Sequence, residues 1–397
     1  MNIKIIFAFL VALDLGITFL NIPPGIDTLM ALYGVSYTGM SILLSALLWS
    51  HALMQIPAGM IADKLGMKRA LILGMSSLTL GNFLPAALPS MGLAILGRVL
   101  TGIGTGLGFV TSMKLIALYA PGGRAGAFQS FFAGIFSMGN ILAYLLVPRL
   151  LPMGWQWIYL APGIFSSFLL LLWVGIHVEH PNQGFPSTMS LGSIMKIRAA
   201  WVLGLYHALS WGTMINLGNW IPSLLAEFWA GSTATQLAWG GMFVMFVSGL
   251  GRVSGGLILL RFSPMLIANG SILILAFLFA GIFFVQVPFV LLFLAVSAAW
   301  FSCVNFGAFF HLASTLVKQE SVGTIIGMVN FLANLGAVLF TLTFGLAKDR
   351  VGSLSSGFSV LAILAIVAFA FGRGILRREC SEHSVHNNID ELVKSQN

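Results

Sequence analysis

The feature that most constrains this chain is the recurrence of apolar runs long enough to cross a lipid bilayer. A helix needs roughly 20 apolar residues to traverse the hydrocarbon, and irregular backbone is not tolerated against lipid. Reading the apolar stretches between breakers gives twelve spans, near 5–28, 39–61, 70–89, 92–116, 125–148, 157–177, 200–226, 235–260, 264–286, 289–314, 322–346 and 355–375. Most connections are short, such as "PSMG" at 89–92, "PMGWQ" at 152–156 and "RFSP" at 261–264. The long unbroken runs do not resemble the short alternating strands of a membrane barrel. Only 8% of residues are charged and 58% are hydrophobic, whereas a soluble domain carries about 25% charged residues. The expected fold class is therefore all-α and integral to the membrane, with twelve transmembrane helices.

One long connection stands out. "HVEHPNQGFPSTMSLGSIMKIR", 177–198, holds Pro, Asn, Gln, Ser and charges without a sustained apolar run. It reads as a linker between two halves. The organisation is then a six-helix bundle over 1–177, a cytoplasmic linker over 178–199, a second six-helix bundle over 200–376 and a polar, mobile cytoplasmic tail over 377–397. The first run has one positive residue, Lys4, but is long and has no small-x-small site before "NIPPG", so it reads as a retained span rather than a secretion signal. Lys and Arg in short loops set orientation. With the N-terminus inside, Lys4, Lys64, Lys68, Arg69, Arg124, Lys196, Arg198, Arg261, Lys318, Arg373, Arg377, Arg378 and Lys394 fall on the cytoplasmic side. Arg149, Lys348 and Arg350 fall outside. Both termini are thus expected in the cytoplasm, and a bacterial inner membrane is the expected location. The net charge of +8 is a topology signal and not a nucleic-acid footprint. Cys303 and Cys380 make neither a disulfide framework nor a metal site. No cofactor or metal is expected, and no nucleophile–base constellation suggests an enzyme. "GIGTGLG", 102–108, lies inside a span rather than after a strand, so its glycines read as a helix-contact face.

Charges concentrate in "GMIADKLGMKR", 59–69, between spans 2 and 3. A solvated positive-inside loop explains the basic residues but not Asp63 or the two glycines. With Gly59, Asp63, Lys64, Gly66, Lys68 and Arg69 in register after "QIP" at 55–57, this loop resembles the signature loop of the major facilitator superfamily. That resemblance implies two pseudo-symmetric six-helix bundles, transport by alternating access, and a loop that latches the halves in one access state. Physically, Gly59 would permit close helix contact, Gly66 would let the chain turn, and Asp63 would accept hydrogen bonds from a helix N-terminus or a basic partner. Internal echoes fit a repeat architecture. "QIPAGMIADKLG", 55–66, aligns with "RVSGGLILLRFS", 252–263, although Leu260 replaces Asp63. "NIPPG", 21–25, is echoed by "NWIPS", 219–223, and "GAFQ", 126–129, by "GMVN", 327–330.

Ionisable side chains inside a membrane are functional candidates by default. Here they are Asp14, His51, Arg98, Lys114, His207, Arg252 and His311, none of them on spans 3, 6, 9 or 12, which the resemblance makes outer supports. Asp14, Thr18 and Asn21 share one face of span 1, and Arg98, Thr101 and Thr105 one face of span 4. Both faces are expected to look into a common aqueous cavity. Asp14 lies about 15 Å along the helix from Lys4, at 1.5 Å per residue, near mid-bilayer. "LDLGITFLNIPPGI" and "RVLTGIGTG" resemble the family's span 1 pattern and its span 4 motif linked to proton coupling. The expectation is that Asp14 carries a coupling proton and Arg98 sets when it does, the alternative being a permanent structural ion pair. His51 is the second proton-coupling candidate, because imidazole titrates near neutrality. Lys114 is expected to snorkel to the surface.

The substrate is less legible. Arg252, with Ser248 one turn before it, reads either as an anion-binding cation or as a latch residue equivalent in position to Gln55. "RVSGG" resembles span 8 of the nitrate/nitrite porter branch and related anion permeases, but Gln55 stands where that branch has a second Arg, which argues against nitrate. A small organic or inorganic anion held by Arg252, with Thr18, Asn21, Thr101, Thr105, His207, Asn305, Asn330 and Asn334 as polar lining, is the leading reading. A proton-coupled exporter of amphipathic compounds is the rival, although "AGIFSMGNILAYLL", 133–146, lacks the Gly-Pro motif of drug–proton antiporters. A non-transporting sensor or scaffold is the reading from another class. The expected partners are a small-molecule substrate, protons and the bilayer, with no nucleic acid, and the chain is expected to be monomeric.

Overall fold

The structure is a computed structural model that describes residues 2–121, 125–176, 191–317 and 321–395. Among these residues helices alternate with short turns, and there is no strand. Span 1 is broken. Helix α1, Ile3–Phe19, stops before "NIPPG", whose Pro23 and Pro24 lack the N–H groups a helix interior needs, and the chain resumes as α2, Ile26–Tyr33. Spans 2 to 6 are α3 (Tyr37–Leu65), α4 (Met67–Ala87), α5 (Met91–Tyr119), α6 (Ala125–Leu150) and α7 (Trp157–Gly175). Most of the linker lies outside the described residues; its end forms a short α8, Leu191–Ile194. Spans 7 to 9 follow as α9 (Arg198–Phe228), α10 (Ala234–Ile258) and α11 (Pro264–Phe284). Span 10 breaks at Asn305 into α12, Pro288–Val304, and α13, Phe306–Thr315. Spans 11 and 12 are α14 (Val322–Val351) and α15 (Ser355–Ser395). Ser36, Thr233 and Ser263 each accept a backbone N–H from the first turn they precede, which fixes where α3, α10 and α11 begin.

Eleven of these segments are long and apolar enough to cross a membrane. The twelfth run, α9, is equally long but carries His207, Ser210, Thr213, Asn216, Asn219 and Ser223, all buried. It faces protein rather than lipid, so polar groups with partners are tolerated. Helix α15 continues into the expected tail over 377–397 as one helix to Ser395. No Gly or Pro interrupts "ILRRECSEHSVHNNIDELVKS", so nothing in the local sequence stops a helix once started.

The packing repeats between halves. Span 1 lies on span 5, span 2 on span 4, and span 3 on spans 4 and 6; correspondingly span 7 lies on 11, 8 on 10, and 9 on 10 and 12. Small residues permit the closest crossings. A methyl group on Gly16 would stand 2.9 Å from the Cα of Gly139, and one on Gly139 would stand 2.9 Å from the Cα of Gly16, so α1 and α6 touch backbone to backbone. The glycines of 102–108 do the same work from α5: Gly102 and Gly106 face α3, Gly104 faces α4 and Gly108 faces α1. The halves meet along two seams, α3 against α14 and α6 against α10.

Candidate functional site

The broken first span creates the N-terminal half's polar centre. Where α1 ends, its last carbonyls lose their intrahelical donors. Arg98 on α5 fills that role: Nη1 donates to Thr18 O at 2.9 Å and Nη2 to Phe19 O at 3.3 Å. A cation at a helix C-terminus also complements the helix dipole. Nη1 further donates to Asn21 Oδ1 at 3.1 Å, and Asn21 Nδ2 donates to Ile158 O on α7 at 2.9 Å. Arg98 and Asn21 thus tie span 1 to spans 4 and 6.

Asp14 is elsewhere. It is wholly buried, and both of its oxygens lie 2.8–2.9 Å from Ser166 Oγ on α7. The expected facing of Asp14 and Arg98 across a wet cavity is corrected. Asp14 and Asn21 both reach α7, through Ser166 and Ile158, but α1 ends at Phe19, so Asn21 lies beyond the helix and Asp14 bonds to Ser166 rather than to the guanidinium. Thr18 is buried with its hydroxyl unpartnered, and Thr101 Oγ1 donates to Arg98 O.

His51 sits where α3 crosses α5, with edge contacts to Phe19 and Phe109. Its Nδ1 is 3.0 Å from Thr105 Oγ1 and its Nε2 is 2.8 Å from Gln55 Nε2. Thr105 spends its own hydroxyl proton on Gly102 O, so it accepts from Nδ1–H. Nε2 then accepts from the Gln55 amide. A second proton on the ring would require Gln55 to turn its carbonyl toward Nε2.

In the C-terminal half the centre is Arg252 on α10. Its guanidinium lies over the rings of Trp211 (α9) and Phe306 (α13), 5.4 Å from each centroid. Nη2 reaches only the weak acceptor Met214 Sδ at 3.2 Å, and Nε is buried with no partner. Around it, Trp211 Nε1 donates to Asn334 Oδ1, Asn334 Nδ2 to Asn330 O, and His207 Nε2 lies 3.3 Å from Asn330 Oδ1. The structure therefore brings together Arg252, His207, Asn330 and Asn334. It does not bring Asn305 to them: this residue is 0% exposed and its amide donates to Ser210, Ser271 and Phe301, bracing the break in span 10. His311 is exposed.

The two ends of the molecule differ. At the end distal to the termini, Asp349 of α14 accepts from Tyr37 N at 3.2 Å and Thr38 N at 2.8 Å, capping α3 across the seam. Tyr144 of α6 donates to Gly218 O of α9. Lys348 pairs with Glu227 at 2.9 Å, and Glu227 also accepts from Ser353 Oγ and Leu354 N. Gly212 to Leu225 on α9 are buried without interruption. Toward the terminal end, Gln55, Trp211, Arg252, Phe306 and Asn330 are partly exposed. The halves are closed distally.

The signature loop lies at the terminal end. Gly66 has φ +88° and turns the chain between α3 and α4. Lys114 Nζ, rather than simply snorkelling, donates to Asp63 at 2.8 Å and to Gly59 O at 3.0 Å. The steric expectation for Gly59 is corrected, since a methyl there would meet nothing closer than 3.7 Å. Its carbonyl, not its smallness, makes the contact. Lys68 donates to Val174 O at the end of α7, while Lys64 and Arg69 are exposed. Among the described residues these bonds stay within the N-terminal half. The distal cluster Glu227–Lys348–Asp349 escaped the sequence reading; its signal was three charges close to span ends in a charge-poor chain.

Comparison with known proteins agrees with this architecture. The family model described as Major Facilitator Superfamily matches residues 5–341. A probable anion transporter 3, chloroplastic, of Oryza sativa subsp. japonica is 25% identical over 375 residues, covering 84% of this chain and 71% of that protein. A galactose-proton symporter of Escherichia coli (strain K12) is 28% identical over 139 residues, 35% of this chain and 30% of that protein. The crystal structure of a D-xylose-proton symporter superposes with a TM-score of 0.76 at 16% identity, covering 93% of this chain and 96% of the other.

Proposed function

The chain belongs to the Major Facilitator Superfamily, and from that premise we propose that this transporter moves an organic or inorganic anion by alternating access, coupled to protons. One observation carries the anion: the Arg252 guanidinium has no carboxylate and no strong acceptor among the described residues. A guanidinium N–H buried without a partner is costly, and a ligand anion arriving from the partly exposed side would supply the missing acceptors with charge-assisted hydrogen bonds. The anion transporter among its relatives supports the same reading.

Proton movement is assigned to the N-terminal half, where Asp14 and His51 are buried and make no ion pair among the described residues. His51 touches Gln55, a partly exposed residue that can offer either an amide or a carbonyl to a ring nitrogen. Asp14 would exchange its proton only when α1 and α7 separate. Arg98 positions the end of α1 rather than titrating Asp14. The termini and the signature loop are assigned to the cytoplasm of a bacterial cell, which makes the observed state inward-facing, and no catalytic role is assigned.

Reconstituted vesicles test this. With an imposed pH gradient, a candidate anion should accumulate in vesicles containing the natural protein and fail to accumulate against its gradient with His51→Gln, while downhill exchange persists. Unchanged gradient-driven accumulation in both His51→Gln and Asp14→Asn overturns the proton assignment. Absence of any flux, with intact ligand binding, favours the sensor reading instead.

A further inference from the structure

The surroundings of Arg252 restrict the chemistry of the anion further. This step rests on the anion reading above. Among the described residues Arg252 is the full cation within α9, α10, α13 and α14 away from their ends; Arg198 begins α9, Lys348 and Arg350 end α14, and Arg261 lies beyond α10. Lys348 is already paired with Glu227. Arg98, the other interior guanidinium, is committed to three acceptors in its own half. A single free cation balances one negative charge. A dianion would carry an uncompensated charge into a low-dielectric site.

The walls are apolar and aromatic. Trp211, Phe306 and Met214 touch the guanidinium, and Phe310 packs edge-on against Phe306 with centroids 4.6 Å apart. Trp211, Phe306 and Phe310 are partly exposed. A small hydrated inorganic ion would leave those rings uncovered, whereas an apolar body would bury against them, at about 25 cal/mol per Å². The guanidinium has two coplanar N–H pairs matched in geometry to a planar carboxylate. We infer that the site takes a monocarboxylate with an aromatic or branched apolar body, the carboxylate on Arg252 and the body on Trp211, Phe306 and Met214.

Calorimetric titration of the purified full chain in detergent at pH 8 tests this, with benzoate, acetate, phthalate and benzamide as probes. Benzoate should bind at least ~10-fold more tightly than acetate, because its ring adds apolar contact. Phthalate, a dianion, should bind ~10-fold more weakly than benzoate, and neutral benzamide should show no binding. Arg252→Gln should abolish binding and Arg252→Lys should retain part of it. Phe306→Leu, which keeps the charge, should weaken benzoate ~5-fold and leave acetate unchanged. If acetate or phthalate binds as tightly as benzoate and Arg252→Gln still abolishes binding, the anion reading stands and the apolar monocarboxylate falls. If no probe depends on Arg252, both fall.

Discussion

Removing the distal cap at Asp349 should open the closed end by a calculable amount. The carboxylate accepts two backbone N–H groups from the first turn of α3, at 3.2 and 2.8 Å, from the opposite half. Loss of an N-cap destabilises by about 0.5–2 kcal/mol, and a charge at a helix N-terminus contributes about 0.3–1 kcal/mol. Asp349 is exposed, so solvent screening holds the sum toward the low end, about 1 kcal/mol. The bond exists only when the halves are closed distally, so its loss acts wholly on that state. One kcal/mol is a roughly fivefold change in the closed-to-open ratio. Ser41 reports it well, since it is 0% exposed and its hydroxyl lies under Gly345 of α14. With Cys303 and Cys380 replaced by Ala, Ser41→Cys should react with a membrane-impermeant thiol reagent about fivefold faster in Asp349→Ala. The increment should shrink at high salt, where exposed charges are screened. An unchanged rate would refute the cap as a determinant of closure, and a rate that rises equally with a control substitution at the exposed Arg69 would refute its specificity.

Two further outcomes follow from the packing. Gly139→Leu forces a side chain into the backbone of α1; overpacking of this kind destabilises by about 1–3 kcal/mol or more, so thermal unfolding followed by size-exclusion chromatography should shift downward, while the same change at Gly134, which faces open space, should not. Arg98→Gln strips donors from two carbonyls and Asn21, each buried acceptor left unsatisfied being worth about 1–3 kcal/mol; the variant should lose stability before ligand, and retained thermal stability with lost proton dependence would return Arg98 to a coupling role.

What could be read from the residues was whatever is local or periodic. Twelve apolar runs, the turn at Gly66, and the glycine face of 102–108 depend on single helices or neighbouring positions, and each is visible without knowing the partner. Partner choice is different. Helical spacing grouped Asp14 with Asn21, but the helix ends at Phe19 before reaching Asn21, and nothing in α1 says whether Asp14 meets water or α7. Lys114 looked like an isolated cation because Asp63, its acceptor, lies 51 residues away. Asn305 looked like a ligand contact because an amide in an apolar span suggests one; only the break in span 10 shows what it holds. Asp349 went unread for the same reason, since a trans cap requires knowing which helix begins beside it.

The interruption of span 1 has a mechanical consequence. At the break the carbonyls of Thr18 and Phe19 and the side-chain amide of Asn21 are held from outside, by Arg98 of α5 and by Ile158 of α7. That segment is therefore carried along with its own bundle and does not bend as an independent gate. Any swing that admits solute from the far side has to separate Asp349 from α3 and Tyr144 from Gly218, leaving the kinked stretch and its clamps to travel together as one stiff body.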